Sequence, residues 1–101
     1  MSDRTLVKQP RESIFYDMRF SNILKSTEVI NNIQLLEGVV VKSTNASPQD
    51  ITITSSSIFS NYIRFKISGG TAGTLYRVTA LVDTDQNNTF EGDGLLEVKN
   101  L

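Results

Sequence analysis

The stretch that decides the fold is Ser68-Gly69-Gly70-Thr71-Ala72-Gly73-Thr74-Leu75-Tyr76-Arg77-Val78-Thr79-Ala80-Leu81-Val82. Its three glycines can take positive φ without a Cβ clash, and the alternating strand that follows them opens with a tyrosine. In immunoglobulin-like and fibronectin-like sandwiches, a tyrosine near the start of a late strand bonds through its hydroxyl to backbone a few residues upstream. The stretch therefore predicts a structural corner made by Gly69, Gly70, Gly73 and Tyr76. A phosphate-binding loop would instead require a following helix N-terminus or a lysine.

Alternation of apolar and polar residues recurs on both sides of this corner, as expected of strands with one buried face. The residues predicted to point inward are Ile14, Tyr16, Met18, Phe20, Ile63, Phe65, Ile67, Tyr76, Val78, Ala80, Val82, Phe90, Leu96 and Val98. About seven short strands at this spacing predict an all-β fold, namely an immunoglobulin-like antiparallel β-sandwich.

Other segments are less regular. Residues 22–36 fit a bent strand or a short helix, and Asn31-Asn32 favours the strand. The serine-rich residues 55–57 predict a turn, and Gly92 and Gly94 predict a bulge or a close backbone approach. Residues 1–12 are polar and unpatterned, so we expect a flexible N-terminal arm at 1–12 and a single sandwich domain at 13–101.

The composition argues against an enzyme. The chain has 101 residues, no histidine and no cysteine, so it lacks the commonest general base and the strongest nucleophile. The pair Glu91 and Asp93 at strand spacing is more simply a solvated face that protects a sheet edge. Ten basic and eleven acidic residues form no long run of one sign, which argues against a nucleic-acid partner. No cofactor is expected.

The N-terminus lacks the apolar stretch of a secretory signal, and no apolar run is long enough to span a bilayer. We therefore expect synthesis in the cytoplasm and no membrane association.

The segment Asp83 to Asp93 is the one stretch that imitates a ligand site. Oxygens at Asp83, Asp85, Asn87 and Glu91 follow the spacing of a calcium loop. The sixth position is Asn88 where glycine is required, and the twelfth is Gly94 where a bidentate glutamate belongs. A hairpin turn requires Asp and Asn for local reasons in any case, so no metal site is predicted.

Apolar residues on the nominally polar parity, or in turns, are the candidates for a docking surface. These are Leu75, Leu81, Leu95 and Phe59, with Pro10 in the arm. Scattered exposed apolar residues are ordinary, but leucines gathered on one sheet face would mark a subunit interface.

Three features together resemble a known family: Lys8-Gln9-Pro10, the opening strand Ile14-Phe15-Tyr16-Asp17, and Ser68 to Thr79 leading to a closing Leu96-Glu97-Val98. The chain resembles small immunoglobulin-like structural proteins of tailed bacteriophages and prophages, of the neck, tail or fibre-adaptor type. It differs from them in its acidic, Asn-rich turn and in having no tryptophan.

The resemblance implies a non-enzymatic virion protein, made in the host cytoplasm, that contacts other virion proteins in a homo-oligomer or ring. A capsid decoration protein is the first alternative. A calcium- or carbohydrate-binding module is the second, although the absence of tryptophan argues against a sugar platform.

Overall fold

The computed structural model describes residues 5–101 as strands, turns and loops, and no helix that could cross a membrane occurs among them. The seven strands are β1 (Thr5–Lys8), β2 (Ile14–Arg19), β3 (Ile30–Ser43), β4 (Ile51–Ile58), β5 (Tyr62–Gly69), β6 (Thr74–Thr84) and β7 (Thr89–Val98).

The strands form two sheets that pack face to face. Sheet A has the order β1-β7-β6-β3, and sheet B has the order β2-β5-β4. The predicted all-β sandwich is thus confirmed. Lettered A to G along the chain, the strand orders B-E-D and G-F-C are those of the immunoglobulin sandwich, with the first strand placed on the second of these sheets.

The core lies between the sheets and follows the predicted alternation. The side chains of Ile63, Phe65 and Ile67 on β5 are fully buried, as are those of Tyr76, Val78, Ala80 and Val82 on β6. Tyr16 of β2 stacks on Phe65 with ring centroids 5.4 Å apart. Sheet B supplies the rings of Tyr16 and Phe65, whereas β6 supplies one ring, that of Tyr76, and the small side chains between its other core positions, so the two faces interdigitate.

Small residues on β7 make room for those rings. A Cβ at Gly92 would lie 2.9 Å from Cζ of Phe20, and a Cβ at Gly94 would meet the ring of Tyr16. The prediction of a close backbone approach at these two glycines is therefore confirmed, because any side chain there would overlap the aromatic rings of sheet B.

The expected arm at 1–12 requires a correction for residues 5–8. These residues form β1, which pairs parallel with β7 from Thr5 opposite Leu95 to Lys8 opposite Val98. Lys8 is fully buried, and its backbone oxygen accepts a hydrogen bond of 3.0 Å from the nitrogen of Lys99. Polar composition concealed this strand, since its pairing is made by backbone groups. Residues 1–4 lie outside the described part of the chain. The sandwich is also not antiparallel throughout, because β1 and β7 are parallel.

Two further segments differ from expectation. Residues 55–57 continue β4 instead of turning, and Ser55 has a φ of 56° where the register between β4 and β5 shifts. Small polar residues of the kind that favour a turn are also accommodated in a β-bulge. Residues 22–29 form turns and irregular chain, and the predicted strand starts only at Ile30.

Candidate functional site

The glycine corner is tied together by the hydroxyl of Tyr76. This hydroxyl donates a hydrogen bond of 2.5 Å to the backbone oxygen of Gln49 and accepts one of 2.9 Å from the nitrogen of Thr71. Gly69, Gly70 and Gly73 have φ values of 78°, 93° and 83°, which side chains rarely tolerate. The structure brings all four predicted corner residues together, and the hydroxyl has a partner in each direction. The corner thus joins the loop before β4 to the start of β6.

The acidic turn between β6 and β7 uses its side chains locally. The carboxylate of Asp83 accepts hydrogen bonds from Asn32, Gln34 and Thr89, and this lowers its pKa. Asp85 accepts one of 3.0 Å from the backbone nitrogen of Val29. Within residues 5–101, no three acidic side chains lie close enough to hold a metal ion. Asp83, Asp85, Asn87 and Glu91 are therefore not gathered into a calcium loop, and Asn87 makes the turn with a φ of 63°.

The buried carboxylate of Glu28 links this turn to the rest of the sandwich. Residue patterns in the sequence did not identify it as a site residue. Glu28 is 4% exposed, and its carboxylate accepts hydrogen bonds of 2.5 Å from Thr84 Oγ1 and 2.8 Å from Asn88 Nδ2. The backbone nitrogen of Lys25 donates another. These donors, with the Thr84 hydroxyl first, lower the pKa of Glu28. The partners are 56 and 60 residues away, so sequence spacing carries no signal of them.

The predicted interface leucines all lie on the outer face of sheet A and are half-buried. Leu75 and Leu95 line one shallow depression together with Thr5, Lys42 and Glu97. Leu81 lies further along β6, opposite Leu35 of β3. The structure thus brings two of the three leucines together.

Pro10 and Phe59 lie elsewhere. Pro10 occupies the connection between β1 and β2, where its backbone oxygen accepts a hydrogen bond of 3.2 Å from Nζ of the buried Lys8. Burial lowers the pKa of this lysine. Phe59 belongs with sheet B.

The outer face of sheet A is divided by charge. Four carboxylates surround Leu35 and Leu81 on the half nearest the acidic turn, and we call this half the acidic patch: Glu37, Asp83, Glu91 and Asp93 with the two leucines. Among the described residues, none of those paired with these six across neighbouring strands is a lysine or arginine. Three of these carboxylates, those of Glu37, Glu91 and Asp93, are exposed. This half therefore presents a small apolar centre within a negative field.

The outer face of sheet B carries a patch that the sequence analysis missed. Three rings and three cations alternate there, and we call them the basic patch: Phe15, Phe59, Tyr62, Arg19, Arg64 and Lys66. Phe59 stacks on Tyr62 at 4.6 Å, and the Arg19 guanidinium lies 4.5 Å from the Tyr62 ring centre. The Lys66 ammonium lies 5.0 Å from the Phe15 ring centre. Such contacts hold the cations in defined positions on the surface.

Asp17 is the single carboxylate within this patch. Arg64 donates two hydrogen bonds to it, of 2.7 Å from Nε and 3.1 Å from Nη2, and these hold the pKa of Asp17 below its usual range. The strand parity already placed Phe15 on the outer face of β2. Its position opposite Lys66 depends on the register between β2 and β5, which no local pattern encodes.

A comparison with protein-family models matches residues 8–97 to the family described as podophage GP4 fiber-tail adaptor protein gp77. A search of curated protein sequences finds no significant match. The matched residues run from the last residue of β1 to the penultimate residue of β7 and include the corner and most of both outer faces.

Proposed function

Because the chain belongs to the podophage GP4 fiber-tail adaptor gp77 family, we propose that it connects a tail fibre to the tail of a podophage particle. The observation that carries this proposal is the family match over residues 8–97, which spans nearly the whole sandwich. The family is one of structural phage proteins, in agreement with the resemblance found in the sequence. The chain's role is therefore that of a non-enzymatic adaptor in the virion.

The adaptor acts in a repeated assembly, as a homo-oligomer or ring that contacts other virion proteins. Both outer faces of the sandwich support this, since each combines exposed apolar side chains with charged ones, as protein interfaces do. The protein is made in the host cytoplasm and becomes part of the particle. Small sandwiches with two usable faces can bind one partner on each side.

The depression that contains Leu75 and Leu95 docks a tail or fibre protein. Its floor is apolar, and its rim carries Lys42 and Glu97, so that an apolar side chain of the partner could be buried and its register set by charge. Leu81 and Pro10 lie outside this depression and form separate contacts with other virion proteins.

Replacement of the gene in the phage by variants tests this assignment. Leu75→Lys with Leu95→Lys should reduce the number of copies per particle several-fold, since two buried cations would oppose docking. Ser21→Lys with Ser26→Lys adds the same two cations at exposed positions between β2 and β3, is the matched control and should be incorporated as wild type. The melting temperature of each purified variant reports whether the sandwich remains folded.

Electron microscopy of the wild-type particle gives the position directly. Density for the sandwich at the junction of fibre and tail is expected. Density on the capsid lattice would contradict the adaptor role and favour a decoration protein. If the variant with both Leu75→Lys and Leu95→Lys is incorporated normally, the docking surface lies elsewhere on the sandwich.

A further inference from the structure

We propose that the basic patch of one copy binds the acidic patch of a second copy of this chain, so that successive adaptors associate head to tail. The proposal rests on the repeated assembly proposed above and names the surfaces that form it.

Charge complementarity is the first argument for this pairing. The basic patch has three cations, and its single carboxylate, Asp17, is already bound by Arg64. The acidic patch has four carboxylates and, among the described residues, no cation paired with it across neighbouring strands. Opposed potentials of this kind steer association and set its register, whereas either patch would repel its own copy.

The two patches also match in size and in apolar content. Phe15 to Arg19 on β2 and Thr79 to Asp83 on β6 each cover four residue steps, or about 13 Å of strand. The acidic patch spans β3, β6 and β7, and the basic patch spans β2, β5 and the connection after β4. Phe15 is 56% exposed on one face and Leu35 is 40% exposed on the other, so that each contributes apolar surface to the contact.

The location of the patches determines the type of assembly. They lie on opposite faces of the sandwich, because one is outside sheet B and the other outside sheet A. An interface between two different surfaces of the same chain is heterologous, and its repetition closes into a ring or continues as a filament. A contact of this size is weak for a single pair, and closure of a ring would strengthen it through multivalency.

Three reversal variants of the full-length protein test the pairing by analytical ultracentrifugation. In the first, Lys66→Glu is combined with Thr54→Glu and Ser57→Glu on β4, which pair with Lys66 and Arg64 of the patch. The basic patch then has four carboxylates and two arginines. In the second, Glu37→Lys, Glu91→Lys and Asp93→Lys leave the acidic patch with three lysines and one carboxylate. The third chain carries all six substitutions. Arg11→Glu, Ala46→Glu and Ser47→Glu make the same charge change as the first variant at exposed loop positions and serve as the control.

Wild type and the control should associate with increasing concentration at low salt, and less so at high salt. Each triple variant should associate at least about tenfold more weakly, because its two patches now have the same sign. A one-to-one mixture of the two triple variants should regain association, and the variant with all six substitutions should associate with itself. Thermal melts confirm that every variant is folded.

A wild-type protein that stays monomeric at millimolar concentration would overturn the pairing. So would a triple variant that associates as wild type does, or a mixture that fails to regain association. Failure of the pairing can be distinguished from failure of the adaptor role. A monomeric chain found at the fibre junction contradicts only the pairing. Self-association without incorporation into particles contradicts only the adaptor role.

Discussion

The hydroxyl of Tyr76 donates a 2.5 Å hydrogen bond to the backbone oxygen of Gln49, 27 residues earlier in the chain. This bond joins the loop that follows β3 to the start of β6, and the same hydroxyl accepts a hydrogen bond from the backbone nitrogen of Thr71. One side chain therefore satisfies two backbone groups in loops that no sheet pairing reaches.

Tyr76→Phe should lower the free energy of unfolding by about 1–2 kcal/mol with the fold intact, because it removes these hydrogen bonds while the ring still fills its place in the core. Urea denaturation followed by circular dichroism measures the change. A midpoint and m-value equal to those of wild type would contradict the structural role of the corner.

Glu28→Gln should reduce stability at pH 7 and reduce the pH dependence of stability. The folded pKa of Glu28 lies below its ordinary value, since Thr84, Asn88 and the Lys25 backbone donate to the ionised form. The stability that the ionised Glu28 carboxylate contributes is therefore fully present above its unfolded pKa of about 4.3, and it is lost as the pH falls through the folded pKa. Melting temperatures of the two proteins should differ most at pH 7 and converge below pH 4. A constant difference across this range would exclude the carboxylate charge as the cause.

Leu6→Ser should lower the melting temperature by several degrees, because Leu6 packs against the core from β1. Val7→Ser is the matched control, since Val7 is 43% exposed on the opposite face of the same strand, and it should change the melting temperature little. Deletion of residues 1–12 should also destabilise the protein, because it removes the pairing of β1 with β7. If the deletion melts as wild type does, β1 contributes nothing to stability.

Calcium should leave the melting temperature unchanged. The carboxylate of Asp83 already accepts three hydrogen bonds, and Asp85 binds the backbone nitrogen of Val29, so a cation would have to displace partners at both. Melts with millimolar calcium and with a chelator are compared. A rise in melting temperature that Asp85→Ala abolishes would instead support a calcium site in the turn.

Local patterns predicted the central strands well. The alternation in β5 and β6 identified every buried apolar side chain there, since successive side chains of a strand point to opposite faces, but it left out the buried Thr74 and Thr84 at the two ends of β6. The same patterns failed at β1, whose four residues are held by backbone pairing, and at Ser55–Ser57, where a bulge continues the strand. They also missed Glu28 and the basic patch, which depend on partners far along the chain.

The sequence by itself determined the class of fold, the buried parity of β2, β5, β6 and β7, and the tyrosine corner, because these follow from residue type and short-range spacing. Only the tertiary structure decided which strands became neighbours and in what register. That choice placed Phe15 opposite Lys66, Asp17 opposite Arg64 and Leu81 beside Glu91. The physical reason is that cross-strand contacts join residues distant in the chain, and a shift of one residue would move each of these side chains to the opposite face. The two charged patches are therefore properties of the register and are not encoded in any single segment.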